Sequence, residues 1–387
     1  MTRHVVRAVL IGGLAGCGPG APDVEATWAR WFTFGAIAAA QAAPHGEFVG
    51  VVVDSTVDVT GPGVAMAPER RAVFVLDDQR GLHGRAALAG AGAVAIDDEG
   101  TAYALVPDAG PERPAPLCRL TAVDVDDATR WERSWPIDDA PEVGCAAQPL
   151  IAGEHLVLRG EEELTALSRD GELLWRSRLS TDCDDLKWRA GALWCAEDPV
   201  DGGDVAIVRC DPADGACRST RLADTIDRVS DFDVSADAIV VRDCTFDVAT
   251  SDCRIVAFDH GGRRRWSTPR DRGVPAGPGP FVVASGRGVW LVGSHRSPRD
   301  GETSQRELSL RHLTVDGHVD RRLRRRFVDA PGDAIAREAC PDGGDVVNSP
   351  EGGSATKAVL RLEGDGFLVV GEHGCRDAFV LALEVRP

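Results

Sequence analysis

The chain has 387 residues, 43 Lys and Arg against 61 Asp and Glu, a formal net charge of −18, and 11 Cys. So acidic a surface repels nucleic acid and anionic lipid headgroups, which argues against both as partners of the folded domain. The length fits one large all-β domain or two ordinary ones, so pattern has to decide between them.

Residues 1–16 read as an export signal: Arg3 and Arg7 are basic, Ala8 to Ala15 are mostly apolar, and small residues follow. That apolar run is far shorter than the roughly 20 residues that span a bilayer. Leu14-Ala15-Gly16-Cys17 resembles the lipobox of bacterial lipoproteins. The resemblance implies that Cys17 becomes the lipidated first residue, with the lipid as the only membrane attachment. Gly18 after the Cys, where an Asp would direct retention, implies the outer membrane. Residues 17–25, including Gly18-Pro-Gly-Ala-Pro22, read as a tether, and 26–387 as the folded domain.

Beyond the tether a unit recurs in which a strand, a turn and a Trp follow one another. Leu164-Thr-Ala-Leu-Ser-Arg-Asp170-Gly171-Glu-Leu-Leu-Trp175 is the clearest copy, beside Leu120 to Trp131 and Ile255 to Trp266. The turn positions Gly81, Asp127, Gly171, Gly215, Gly262 and Gly317 are separated by 46, 44, 44, 47 and 55 residues, a period that suits four short strands. Four residues after each marker stand Arg85, Trp131, Trp175, Ser219, Trp266 and Arg321. A second hairpin precedes each marker, at His45-Gly46, Glu99-Gly100, Gly153, Ala190-Gly191, Asp237 and Gly288, and a seventh lies at Asp365-Gly366. Asp377 to Val385 then supplies a third strand with no fourth behind it, whereas Ala26-Thr-Trp28-Ala-Arg-Trp31-Phe-Thr-Phe34 fits the missing one. Pairing the two removes an open sheet edge. The expected fold is therefore all-β: a seven-bladed β-propeller of four-stranded blades, with the N-terminal strand closing the last blade. The Ala-rich stretch Trp28 to Ala43 also allows a helix.

These W…DG units resemble the PQQ-like repeats of bacterial β-propellers, and Asp54 to Gly63 with Ala72 to Asp78 resembles the SBBP-type repeat. The resemblance implies a fold and not a chemistry. Quinoprotein enzymes of this kind use adjacent disulfide-bonded cysteines in a larger ring, and no two Cys are adjacent here, so no cofactor is expected.

Without Cys17, ten Cys remain, an even number suited to an oxidising compartment. They can pair in roughly nine hundred ways. Cys210 with Cys217 and Cys244 with Cys253 flank turns at hairpin spacing, and neighbour pairing then joins Cys118 with Cys145, Cys183 with Cys195, and Cys340 with Cys375. No Cys or His pair has zinc spacing. Hydrolase, metalloprotease, phosphate-loop and EF-hand signatures are absent from the sequence. Asp182, Asp184 and Asp185, or Asp124, Asp126 and Asp127, could offer oxygen ligands to Ca²⁺, but such clusters more often satisfy turns. Arg321 to Arg326 and Arg263 to Arg265 fall on outermost strands, where charge discourages edge-to-edge association. The long connections Thr56 to Arg71, Pro107 to Leu117, Ser294 to Arg306 and Asp329 to Ser354 are the expected functional surface. The reading is a monomeric, lipid-anchored envelope propeller that binds a protein or glycan partner without catalysis. The alternative is an extracytoplasmic enzyme, carbohydrate-active or quinoprotein-like, with its site at the channel mouth.

Overall fold

A computed structural model describes residues 23–32, 36–55, 70–77, 81–108, 117–134, 148–160, 163–179, 183–197, 204–246, 250–275, 281–299, 302–326, 354–362, 366–373 and 377–386. Strand β1 is Asp23–Phe32. The first sheet holds β2 (Ala36–Ala42), β3 (Phe48–Ser55), β4 (Arg70–Asp77) and β5 (Gly81–Arg85). The second holds β6 (Ala95–Ile96), β7 (Ala102–Asp108), β8 (Leu117–Val123) and β9 (Thr129–Ser134). The third is β10 (Gln148–Ala152), β11 (His155–Arg159), β12 (Glu163–Leu167) and β13 (Leu173–Arg178). The fourth is β14 (Asp184–Arg189), β15 (Ala192–Glu197), β16 (Ala206–Cys210) and β17 (Cys217–Arg221). The fifth is β18 (Val229–Val234), β19 (Ile239–Phe246), β20 (Thr250–Phe258) and β21 (Arg264–Ser267), with β22 (Asp271–Pro275) also paired to β20. The sixth is β23 (Phe281–Ser285), β24 (Gly288–Arg299), β25 (Glu302–Leu313) and β26 (Val319–Arg326). The seventh is β27 (Ser354–Arg361), β28 (Gly366–His373) and β29 (Asp377–Arg386), completed by β1.

These are the seven four-stranded antiparallel blades of a β-propeller, each built by sequential hairpins except the last. Among the described residues no helix is long and apolar enough to cross a membrane. The chain divides into two compact units, one of Met1–Ala146, Ser294–Ser309 and Arg324–Pro387, the other of Ala147–Gly293 and Leu310–Leu323. The first unit contains the first, second and seventh sheets, and the second unit contains the third, fourth and fifth with most of the sixth.

Burial explains why the strands read as they do. Middle strands are covered on both faces, so they carry near-continuous apolar runs: Val51, Val52 and Val53 in β3, Leu156, Val157 and Leu158 in β11, and Ala192 to Ala196 in β15 are all buried. The outer strands β9, β13 and β21 are mostly exposed apart from their Trp. In the first unit, Val49, Val51, Val53 and Leu76 of the first sheet pack with Leu368 and Val370 of the seventh.

The closing strand obeys the rule of its counterparts. Trp131, Trp175 and Trp266 each stand opposite an alanine, respectively Ala122, Ala166 and Ala257, and in each case the register slips at that point. In β1, Trp28 stands opposite Ala382 and the slip falls between Ala26 and Trp28. Strand β1 thus occupies the outer position of the seventh sheet with the same local distortion. It begins at Asp23, inside the stretch that reads as tether, and the helical option for Trp28 to Ala43 gives way to β1 and β2. Tertiary pairing overrides the helix propensity of alanine here.

Two further sequence expectations change. Gly81 is a strand residue opposite Asp77, and Arg85 stands opposite Val73, farther from its turn than the Trp positions are from theirs. Ser294 to Arg306 is largely the extended hairpin of β24 and β25 rather than an irregular connection. Most of Thr56 to Arg71, Pro107 to Leu117 and Asp329 to Ser354 lies outside the described residues.

Within the second unit, Trp175 and Trp266 also meet the turn of the following sheet. The Trp175 indole donates to Pro212 O at 2.7 Å, and a Cβ on Gly215 would lie 2.5 Å from the ring. Trp266 donates to Val315 O at 2.7 Å, and a Cβ on Gly317 would lie 2.6 Å from its ring. Where Ser219 replaces Trp, the chain itself fills the place: a Cβ on Gly262 would lie 2.1 Å from Arg221 O, and Ala223 N–H donates to Gly262 O. Gly215, with φ +72, and Gly191, with φ +71, share a left-handed backbone, but a Cβ on Gly191 meets nothing within 4 Å. Gly191→Ala should therefore cost only the backbone strain of about 1 kcal/mol, whereas Gly215→Ala adds overpacking of about 1–3 kcal/mol. Urea unfolding of the two variants measures the difference, and equal losses would remove the Trp contact from the account.

Candidate functional site

A convergence of buried titratable groups lies in the second unit, on the first strands of three successive sheets. On β14, Lys187 and Arg189 are two residues apart and so share a face; on β18, Asp231 and Asp233 do the same. Lys187 Nζ lies 2.7 Å from Asp231 Oδ1 and 2.9 Å from Asp185 Oδ2, and it also donates to Phe232 O. Arg189 Nε lies 2.5 Å from Asp233 Oδ1. The second oxygen of each aspartate accepts from the backbone of β23: Val282 N–H to Asp231 Oδ2 at 2.6 Å and Ala284 N–H to Asp233 Oδ2 at 2.8 Å. The result is a two-rung ladder of cation, carboxylate and strand-edge N–H across three sheets.

Asp231 and Asp233 side chains are 8% and 1% exposed. Burial alone would lower the Lys187 pKa, but Asp185, Asp231 and Asp233 outweigh it and hold the ammonium above the ordinary lysine value. Burial pushes the Asp231 carboxyl upward, against the pull of Lys187 and of the Val282 N–H. With Lys187 and two backbone N–H groups directed at it, Asp231 is an ionised acceptor. The Lys187 ammonium also lies 4.8 Å from the Phe232 ring centroid. The ammonium has three donors for three oxygen neighbours, and Asp231 and Asp233 each join a cation to an edge N–H. Chemically this is a joint whose two buried carboxylates are already engaged.

A second network lies within the fifth sheet. Asp243 is fully buried and accepts from Arg254 Nε at 2.7 Å, Arg270 Nη2 at 3.1 Å and Asp227 N–H at 2.8 Å. It fixes the segment entering β18 against β19. Beside it, buried Arg242 donates through Nη2 to Cys253 Sγ at 3.5 Å. Burial lowers the Arg242 pKa, and Asp231 opposes the shift.

Of the cysteines named from the sequence, Cys210 is bonded to Cys217 and Cys244 to Cys253. In both pairs the partners lie directly opposite on adjacent strands, with Cα atoms 4.0 and 4.2 Å apart. Cys183 is bonded to Cys195. Cys118 is also disulfide-bonded. Cys145, Cys340, Cys375 and Cys17 lie outside the described residues. In one proposed Ca²⁺ cluster, Asp124 Oδ1 accepts from Asp126 and Ala128 N–H, which is turn chemistry. In the other, Asp185 faces Lys187, and Asp182 lies outside the described residues. Among the described residues no three His, Cys, Asp or Glu side chains gather as a metal would require.

The ladder was accessible to sequence reasoning through one signal. Lys187 to Asp231 and Arg189 to Asp233 are both separations of 44 residues, the repeat period itself, so opposite charges one period apart face each other on equivalent strands.

No protein-family model matches the chain, and neither does any curated protein. Solved structures with a related course include BamB from Moraxella catarrhalis, 12% identical over 92% of this chain and 99% of that one, with a TM-score of 0.41. The β-propeller domain of the Trilobed protease from Pyrococcus furiosus is 10% identical over 90% and 94%, with a TM-score of 0.48. The dihydro-heme d1 dehydrogenase NirN is 14% identical over 91% and 66%, with a TM-score of 0.45. At such values they carry no activity to this chain, and the fold rests on its own seven sheets.

Removing Lys187 leaves Asp231 buried and uncompensated, so Lys187→Met should destabilise by about 3–5 kcal/mol. Because the folded Lys187 pKa is raised, its contribution is full below the ordinary lysine value and is lost as pH rises through the folded one. Above the ordinary value the wild type should lose stability more steeply than Lys187→Met, by about 1.4 kcal/mol per pH unit, one proton's worth. Denaturant titrations at a series of alkaline pH values test this, and parallel slopes would contradict it. Arg85 differs, because its buried Nε and Nη2 have no hydrogen-bond partner among the described residues and burial lowers its pKa against the charges of Asp127, Asp124 and Asp126. Its removal strands no buried carboxylate, since Asp126 and Asp127 are exposed and Asp124 is held by its own turn. Thermal melting should therefore show Arg85→Met to be neutral or stabilising, by up to about 2 kcal/mol.

Proposed function

We propose that this protein is a lipid-anchored extracytoplasmic β-propeller that serves as a non-catalytic binding module of the cell envelope, attached through Cys17. The observation that carries the reading is the use made of the chain's reactive groups. In the second unit Lys187, Arg189, Asp231 and Asp233 are engaged in joining sheets, Asp243 in holding the fifth sheet together, and the cysteines of its hairpins in disulfides. Such cysteines suit an oxidising compartment, and the sequence of the first 17 residues suits export followed by lipidation. A saturated interior leaves recognition to the turns and connections at the sheet ends.

Mass spectrometry of the mature protein, expressed with its native leader in a bacterial host, should find an acylated Cys17 as the first residue. Cys17→Ser should move the protein from the detergent phase to the aqueous phase on phase separation. An unlipidated N-terminus elsewhere would sink the anchoring proposal.

A further inference from the structure

A cleft of about 420 Å³ lies within the second unit, at the hairpin ends of the fifth and sixth sheets, and nothing described above uses it. The volume falls in the range of small-molecule sites. Its floor is small and apolar, made by Ala238, Val240, Ala257, Ala284 and Val289. One wall is Trp266, whose ring is fixed against Gly317 and whose N–H is already taken by Val315 O. That indole therefore presents only apolar ring surface to the cleft, and at the rim Val315 is 50% exposed.

Three charged side chains complete the lining. The Asp237 carboxylate has no hydrogen-bond or ion-pair partner among the described residues, and the residue is held through its backbone N–H and C=O. Asp259 uses Oδ1 to accept from Gly261 and Arg263 N–H, leaving its second oxygen. Arg265 donates through Nη1 to Asp237 O at 3.2 Å and makes no ion pair among the described residues. Two carboxylates against one guanidinium repel an anion. A compact cation gains nothing from the apolar floor and meets Arg265 in the lining. A neutral hydroxylated ring matches every element: its C–H face lies on the indole and the alanine floor, while its edge hydroxyls donate to the carboxylates and accept from the guanidinium.

We propose that this cleft binds a neutral saccharide unit, which gives the binding module of the preceding section its ligand class and rests on that reading. Gly286 lines the cleft, and a Cβ there meets nothing within 4 Å, so Gly286→Leu fills the space without straining the fold. Calorimetric titration of the full mature chain with maltohexaose, cellohexaose and chitohexaose, with trilysine and trigalacturonate as charged controls, tests the proposal. Saturable binding of at least one neutral hexasaccharide is expected, weakened at least about tenfold by Asp237→Ala and abolished by Gly286→Leu, both variants melting as the wild type does. The proposal is overturned by no neutral sugar binding up to about 10 mM, by preference for either charged probe, or by sugar binding that both variants leave intact. If envelope partners co-purify equally with Gly286→Leu and wild type, the module reading stands and the cleft falls. If sugar binding is intact in a protein that is never lipidated, the reverse holds.

Discussion

The structure depends on how one sheet meets the next, and the clearest form of that contact is a Trp standing on a left-handed turn. An indole is large and rigid, with two side-chain torsions to fix, and it carries one donor at its edge. It can approach a turn closely only if the turn has no side chain, which is why Trp175 and Trp266 face Gly215 and Gly317. The same glycines supply the positive φ that the tight hairpin needs. One residue choice thus satisfies both the bend within a sheet and the contact between sheets. The register slips at the Trp in each of β9, β13, β21 and β1.

On the inner side the contact is ionic. First strands leave backbone N–H groups without a partner in their own sheet, and Asp231 and Asp233 accept two of these from β23. Carboxylates placed there need cations, which β14 provides. Buried ion pairs of this sort are close to break-even as stabilisers, so the value of the ladder lies in its spacing. Charges repeated at i and i+2 fit one register and oppose a slip by one residue, which would turn every side chain of the strand to the wrong face. Apolar packing such as that of Phe232, Val234, Val241 and Phe258 is more tolerant of such shifts.

Much of this was legible in the sequence because the repeat is written in glycine and tryptophan, residues whose backbone and size requirements are narrow. Counting from Gly171 or Gly262 locates strands and turns correctly, and Trp28 identifies the N-terminal strand as the outer member of the last sheet. The count misleads at Gly81, which lies in β5 opposite Asp77. Ser294 to Arg306 was hidden for another reason: its Ser, Arg, Asp and Glu residues have the composition of a loop, and strand character came from pairing across a hairpin. The cleft was not legible at all, since Asp237, Asp259, Arg265, Ser285 and Val315 become neighbours only when four hairpins from two sheets are brought to the same end. Lys187 and Asp231 fall between these cases, because their separation equals the period, but a charge in a strand reads first as a solvent-facing residue.

The pairing of β1 with β29 sets residue 23 beside residue 386. Every other sheet can form as its own stretch of chain emerges, from hairpins of neighbouring segments. The seventh cannot, because its outer strand is made first and its partner last. During synthesis, then, Asp23 to Phe32 lacks its β29 partner until nearly the whole chain has followed. Long-range pairing of this kind is slow, and an unpaired strand invites association with other chains. The period of risk for this protein is therefore set by its length and rate of delivery rather than by the stability of any one sheet.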